Sequence, residues 1–274
     1  MSVPRAPKAP TQSWEQLSRR AGRRSGKPLS HSPRAFAFYD LDGTLADLNL
    51  VHAAMFVFAN LGEWSGRVKY LLGFAARLPA LYFAEQSDRH LLNIVLFEAF
   101  KGVSRDRLET LGEEYCERVL LRHVYPQAQT MIEANRAAGL EPVLVTGSPD
   151  FITAPLAARL NIGDFAANHL VFSNALATGR LCAPVMAGEE KAKWCTTYAA
   201  ARRMSLADCW GYADSFYDLP FLAAMGHPVA VNPDRRLAST AHSRHWPIVR
   251  FKPPTLGGVG AFDWRGVTSW TGVR

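Results

Sequence analysis

Two aspartates, Asp40 and Asp42, follow an apolar run rich in aromatic residues, Ala35–Tyr39. Such a run predicts a buried β-strand, and Gly43 then allows a tight bend. Carboxylates at the carboxyl end of a buried strand lie at the edge where open α/β sheets bind their ligands. There, one carboxylate could attack a substrate or bind a metal while the other transfers protons. The alternative interpretation of this pair is a loop or a helix cap.

Further polar residues stand where later predicted elements begin or end. Apolar segments at 141–146 and 207–213 predict strands, and a helical pattern opens at residue 188 and continues to about 203. The polar positions at these boundaries are Thr146, Lys191, Asp214 and Asp218. Because the carboxyl ends of parallel strands share one edge of a sheet, we expect these positions to meet Asp40 and Asp42.

Strands and helices alternate after residue 125, which predicts an α/β fold with a doubly wound, Rossmann-like parallel sheet. The other predicted elements are strands at 168–172, 228–231 and 246–250, a hairpin tip at 178–180, and helices at 126–138, 150–160 and 233–243. Residues 47–125 have apolar side chains at three- and four-residue spacing, which predicts an inserted α-helical cap. The expected domains are a disordered basic leader (1–33), a core (34–46 and 126–251), the cap (47–125) and a loosely ordered tail (252–274).

The positive net charge is concentrated in the leader. The chain of 274 residues carries +7, and residues 1–34 contain eight basic side chains and one acidic side chain, so the remainder is balanced. A balanced core argues against nucleic-acid binding. The leader is interpreted as a disordered segment or, alternatively, as a polybasic segment attracted to anionic lipid. It has no apolar signal region, and its Arg-rich, acid-poor composition leaves an organellar transit peptide open.

Cysteine usage and hydropathy indicate the compartment. Four scattered cysteines without metal-ligand spacing are typical of a reducing environment. No stretch reaches the roughly 18 uninterrupted apolar residues of a membrane-spanning helix. We therefore expect a cytoplasmic protein, with peripheral contact with an anionic membrane as the alternative.

Taken together, the motifs resemble those of the haloacid dehalogenase superfamily of phosphohydrolases. The matching stretches, in the family's order, are Asp40–Thr44, Val143–Ser148, Lys191 and Gly211–Asp218. The resemblance implies that Asp40 is the nucleophile, which forms an aspartyl-phosphate, and that Asp42 is the general acid and base. It also implies a Mg²⁺ ion held by Asp40, Asp214 and the main-chain carbonyl of Asp42.

The same resemblance assigns the phosphate-binding groups. The Thr146 hydroxyl and the Gly147 main-chain amide would bind a phosphoryl oxygen. Lys191 would bond both the phosphoryl group and the nucleophile, and Asp218 would orient metal-bound water or Lys191.

Each of these positions also has a simpler interpretation. Thr146 and Ser148 are both hydroxyls near a helix start, where either could cap the helix. Lys191 could be a surface charge, in which case Lys193 is the rival cation. Asp218 could complement a helix dipole.

The position of the cap is similar to that in the branch that includes phosphoserine phosphatase and bacterial phosphatidylglycerophosphate phosphatases. The chain departs from phosphoserine phosphatase at Gly43, where Ser is usual, and at Thr146–Ser148, where that enzyme has Ser-Gly-Gly. Aromatic residues crowd the first half of the cap, namely Phe56, Phe58, Trp64, Tyr70, Phe74, Tyr82 and Phe83. They predict either the cap's own core or a surface for an acyl chain or a membrane.

The expected function is Mg²⁺-dependent hydrolysis of a small or lipid-linked phosphate monoester. The alternatives are a small-molecule phosphatase similar to phosphoserine phosphatase, a phosphotransferase or mutase, and a non-catalytic membrane-associated module with the same scaffold.

Overall fold

The computed structural model of the chain describes residues 35–61, 68, 70–77 and 89–254. The expectations for the leader and for most of the tail lie outside the described residues, as do those for Trp64, Tyr82 and Phe83 of the aromatic set.

A six-stranded parallel sheet forms the core. The strands are, in chain order, β1 (Ala35–Tyr39), β2 (Leu140–Pro149), β3 (Asp164–Asn168), β4 (Leu170–Ser173), β5 (Leu176–Leu181), β6 (Trp210–Ala213), β7 (His227–Val231) and β8 (Ile248–Val249). The sheet has the order β3-β2-β1-β6-β7-β8, and β4 and β5 form a separate antiparallel hairpin. The strand order reverses beside β1, which places a ligand crevice at its carboxyl end. The predicted doubly wound parallel sheet is confirmed.

Helices surround the sheet and form the insertion after β1. They are α1 (Leu50–Ala59), α2 (70–77), α3 (Arg89–Glu98), α4 (Arg105–Tyr115), α5 (Pro126–Ala137), α6 (Asp150–Arg159), α7 (Glu189–Ala201), α8 (Leu219–Ala223) and α9 (Arg235–Ser243). Helix α4 continues through a π-helical turn, Cys116–Leu120, into Leu121–His123, and short 3₁₀ turns lie at Leu206–Asp208 and Phe216–Asp218. Helices α1 to α4 are the inserted cap, as predicted.

Local sequence explains the elements that carry the site. All five residues of β1 are buried, as expected for a central strand with both faces covered. Helix α5 starts at Pro126, whose fixed φ suits the first helical position, and it ends before Gly139, which has a φ of 84°. Asn49 caps α1, since its side chain accepts hydrogen bonds from the amides of Val51 and His52.

The predicted strand and hairpin of the 168–180 region are present, but the position predicted for the hairpin tip was wrong. The predicted strand at 168–172 is divided between β3, which ends at Asn168, and β4 of the hairpin. The hairpin tip is Asn174 and Ala175, with φ of 50° and 64°, and not 178–180. A two-residue turn of this kind needs positive φ at both positions, and Ala gives no sequence signal for it. Gly179 instead lies within β5, where a Cβ would be 3.1 Å from the carbonyl oxygen of Glu98 in α3.

Other strand bounds differ less. Strand β2 extends beyond the predicted segment at 141–146, whereas β6 and β8 are shorter than predicted. At β6 the predicted segment begins with the 3₁₀ turn, in which Ser205 accepts a hydrogen bond from the amide of Ala207.

The hairpin and α6 fix the cap to the core. Main-chain amides of Gly102 and Ala177 donate hydrogen bonds of 2.8 Å to the carbonyls of Ala177 and Val103, respectively. Between α4 and α6, a Cβ on Gly112 would be 2.0 Å from the carbonyl oxygen of Phe151, so the two backbones touch. The cap is therefore held on two sides.

The described aromatic residues of the cap pack against one another. The ring of Phe58 lies 5.9 Å from Tyr70, 5.5 Å from Phe74 and 5.2 Å from Phe100, measured between ring centroids. Phe56, Phe58 and Phe74 are buried. These residues form the core of the cap. No helix in the described part of the chain combines the length and the apolar character needed to cross a bilayer.

Candidate active site

Asp40 and Asp42 lie in the loop that leaves the carboxyl end of β1. Asp40 is buried, and its amide donates a hydrogen bond of 2.9 Å to the carbonyl of Tyr212 in β6. The chain then bends at Gly43, which has a φ of 79°. A Cβ on Gly43 would lie 2.2 Å from Oδ2 of Asp214, so this bend permits the loops after β1 and β6 to meet.

Lys191, in the first turn of α7, is the buried cation of the site. Its Nζ lies 2.7 Å from Oδ1 of Asp40 and 2.9 Å from Oδ1 of Asp218. Burial alone would lower the pKa of Lys191, but Asp218 and Asp40 outweigh it and raise this pKa above its usual value. Lys193, the rival cation, is largely exposed and pairs with Glu190 at 2.7 Å.

Three carboxylates converge beside this lysine. Oxygen atoms of Asp40, Asp214 and Asp218 all lie within 4.8 Å of one another. The Thr44 hydroxyl donates to Oδ2 of Asp40 and to Oδ1 of Asp214, each at 3.4 Å. Three acids against one lysine leave an excess of negative charge, and an all-oxygen donor set suits Mg²⁺. Asp40 and Asp218 both pair with Lys191, and Asp214 completes the group of carboxylates that could hold the ion.

The segment after β2 contributes main chain to the cavity and a hydroxyl to Asp42. Gly147 lines the cavity, whereas Thr146 is fully buried and its Oγ1 accepts a hydrogen bond of 3.0 Å from the amide of Ser148. The Ser148 hydroxyl donates to Oδ2 of Asp42 at 2.7 Å. Buried Asn168 in β3 donates to the Gly147 carbonyl at 2.7 Å and so fixes this segment.

A cavity of about 700 Å³ connects the carboxyl edge of the sheet with the cap. On the sheet side it is lined by Asp40, Asp42, Gly147, Lys191, Asp214 and Asp218. On the cap side its lining includes Leu48, Val51, His52, Leu92, Asn93 and Leu96. Burial lowers the pKa of His52 below its usual value, despite the opposing effects of Asn49 and Asp47, which favours a neutral ring.

Six of the seven predicted site residues therefore line one cavity, and Thr146, which precedes Gly147, is fully buried. Sequence reasoning missed two supporting residues. Ser148, for which the sequence suggests a helix cap, hydrogen-bonds Asp42. Asn168, which the sequence pattern places at the start of a strand, ends β3 and hydrogen-bonds Gly147. The chemical roles assigned to all seven residues, including Thr146 as a phosphoryl donor, stay predictions.

The family model of haloacid dehalogenase-like hydrolases matches residues 37–223, more than half of the chain and all seven of these positions. The chain belongs to the haloacid dehalogenase-like hydrolases. The resemblance stated from the motifs is confirmed, and the six-stranded parallel sheet agrees with it.

Two bacterial relatives of this hydrolase carry phosphatase names. A probable phosphatase of Mycobacterium tuberculosis is 29% identical over 229 residues, which cover 83% of this chain and 79% of the relative. The phosphoserine phosphatase SerB1 of the same species is 30% identical over 235 residues, which cover 80% and 71%. A solved structure from Bordetella pertussis Tohama I, of a protein with unknown function, has a TM-score of 0.67 at 24% identity and covers 79% of this chain and 98% of its own. That likeness concerns the fold.

Proposed function

We propose that this hydrolase cleaves phosphate monoesters with the help of Mg²⁺, and that Asp40 is the nucleophile. The observation that carries the proposal is the convergence of Asp40, Lys191 and Asp214 in one cavity. The buried ammonium of Lys191 contacts Asp40, and a carboxylate oxygen of Asp214 lies within 4.8 Å of one of Asp40. A non-catalytic scaffold has no need for this concentration of charge.

Asp40 would attack the phosphorus in line with the ester oxygen. A carboxylate is ionised at neutral pH and needs no base to remove a proton. One carboxylate oxygen forms a bond to phosphorus while the bond to the ester oxygen breaks, which yields an aspartyl-phosphate and an alcohol. Lys191 orients Asp40 for this step through its bond to Oδ1.

Asp42 would handle the protons of both steps. It would first donate a proton to the leaving alcohol oxygen and then accept one from the water that hydrolyses the aspartyl-phosphate. The Ser148 hydroxyl, which donates to Oδ2 of Asp42, holds the carboxylate in place. Water attack on phosphorus then releases phosphate and restores Asp40.

Charge compensation is the third requirement, because the phosphoryl group approaches several carboxylates. Lys191, the Gly147 amide and the Thr146 hydroxyl would bind its oxygens. Asp40, Asp214 and the Asp42 carbonyl would hold Mg²⁺, which when bound neutralises charge on the phosphoryl group. Asp218 would keep Lys191 in place, since it lies 2.9 Å from Nζ.

A small phosphate monoester is the substrate class that we propose first. A relative bears the name phosphoserine phosphatase. The described aromatic residues of the cap are largely buried against one another, which leaves little of their surface for an acyl chain. A lipid-linked monoester at an anionic membrane is the alternative, and the exposed apolar side chains Leu72, Leu91 and Ile94 of the cap are where an acyl chain or a membrane would bind.

The test is release of phosphate from an aryl phosphate, with Mg²⁺ and after chelation. Wild type and Asp208→Asn, an exposed carboxylate outside the cavity, should turn over, whereas Asp40→Asn should lose activity. A panel of phosphoserine, sugar phosphates and glycerophosphate lipids then ranks the substrates. Wild type that matches Asp40→Asn on every compound would refute the proposal, and vesicle binding without turnover would favour the non-catalytic module.

A further inference from the structure

The proposed mechanism does not use Asn93, a polar side chain of the cap. Asn93 lies in α3 and is only 6% exposed. It lines the cavity together with Leu92 and Leu96 of the same helix. Its amide makes no hydrogen bond to any residue within the described ranges. A side chain that is mostly buried, faces a cavity and has no partner among the described residues there is available to hydrogen-bond a ligand.

The position of Asn93 relative to the sheet identifies the part of the ligand. A Cβ on Gly147 would lie 3.0 Å from Nδ2 of Asn93 and 3.2 Å from the carbonyl oxygen of Met186. The side-chain amide therefore sits directly over the main chain of Gly147, whose N–H is a proposed phosphate donor. Any side chain at position 147 would have to displace Asn93 or the loop that contains Met186.

Helix α3 is held in a way that fixes Asn93. At its carboxyl end, the backbone of Glu98 lies against Gly179 of β5, where a Cβ would be 3.1 Å from both Cα and the carbonyl oxygen of Glu98. The close backbone contact anchors the helix to the hairpin. Asn93 is thus placed before the substrate arrives, which reduces the ordering cost of binding.

We propose that Asn93 is a substrate-binding residue of the cap that donates a hydrogen bond from Nδ2 to a phosphoryl oxygen. The inference rests on the proposed phosphatase function and adds a phosphate ligand that comes from the cap. A neutral amide suits this position, because a second cation beside Lys191 would compete for Asp40 and Asp218. Leu92 and Leu96, which line the cavity beside Asn93, would contact the alcohol part of the substrate.

Inorganic phosphate is the probe, titrated by calorimetry into the full chain in the presence of Mg²⁺. Asn93→Ala should weaken phosphate binding about tenfold, the effect of losing one hydrogen bond to a charged group. Asn93→Asp, which keeps the shape, should weaken it further because its charge repels phosphate. Asn60→Ala is the matched control, since Asn60 is a cap amide that caps α1 through the Phe56 carbonyl, outside the cavity lining.

Kinetics gives a second readout. If Asn93 binds the phosphoryl group, kcat/KM of Asn93→Ala falls by a similar factor for aryl and alkyl phosphates. A loss confined to particular alcohols would overturn the inference and place the contact on the leaving group. Phosphate affinity that is unchanged in both variants, or absent in wild type, would also overturn it. Wild type that binds phosphate through Asn93 but releases none from any ester would refute the proposed function and leave the inference standing.

Discussion

Removal of the buried ammonium by Lys191→Met tests how the site is held together. In the native chain, Nζ separates Asp40 from Asp218, and the side chains of all three residues are at most 8% exposed. The substitution leaves two carboxylates buried side by side without their cation. Breaking a buried ion pair in this way typically costs about 3–5 kcal/mol. For a chain of this size, each kcal/mol lowers Tm by roughly 2–4 °C, so we expect a fall of about 10 °C.

The pH dependence has a definite sign. In the folded state, Asp218 and Asp40 raise the pKa of Lys191 against the effect of burial. The protonated lysine therefore contributes its full stabilisation below the pKa of the unfolded chain, and this contribution is lost as pH rises through the pKa of the folded state. The contribution of Lys191 to the free energy of unfolding of wild type should therefore decrease only above about pH 10.

Thermal unfolding with a chelator present, and phosphate release with Mg²⁺, measure the two effects separately. Activity of Lys191→Met should fall by about 10²–10³-fold, the usual effect of removing a charge that stabilises a transition state. Lys193→Met is the matched control on the same helix, and its exposed side chain should be dispensable for both properties. Equal Tm and equal activity of the two variants would contradict this role of Lys191.

Two glycine substitutions probe the contacts that shape the site and the cap. Gly43→Ala should weaken Mg²⁺ binding and reduce activity roughly 100-fold, because φ is positive and the new methyl group would displace Asp214; a magnesium titration with unchanged affinity would contradict this. Gly112→Ala should destabilise the chain by about 1–3 kcal/mol in denaturant unfolding, since the new Cβ would meet the Phe151 carbonyl. Gly163→Ala is the control and should be close to neutral, because a Cβ there would have no neighbour within 4 Å. Equal unfolding midpoints of the two variants would show that α4 and α6 do not touch.

The sheet side of the site could be predicted because open α/β sheets bind their ligands at the carboxyl ends of the strands. Apolar runs indicate where β1 and β6 end, and parallel strands bring their carboxyl ends to one edge of the sheet, so Asp40 and Asp214 were expected at the same edge. The adjacency of β1 and β6 is a finding of the structure. The choice between Lys191 and Lys193 needed the structure. Residues two apart point to different sides of a helix, and nothing in the sequence says which side of α7 faces the sheet.

The cap side could not be predicted, because its geometry depends on tertiary contacts. Asn93 lies in an apolar helical pattern, where a single amide gives no signal of a cavity. The hairpin that holds α3 was misplaced because Gly179 looked like a turn residue, although it serves a close backbone contact with Glu98. Ser148 looked like a cap, and only the fold brings its hydroxyl to Asp42.

The most direct test of the account is to find where the phosphoryl group resides during turnover. A reaction with excess substrate, stopped rapidly in acid and digested, should yield a phosphorylated peptide whose modified residue is Asp40 by mass spectrometry. The adduct should be absent from Asp40→Asn. A phosphoryl group on any other residue, or hydrolysis by Asp40→Asn at the wild-type rate, would contradict the assignment of Asp40 as the nucleophile.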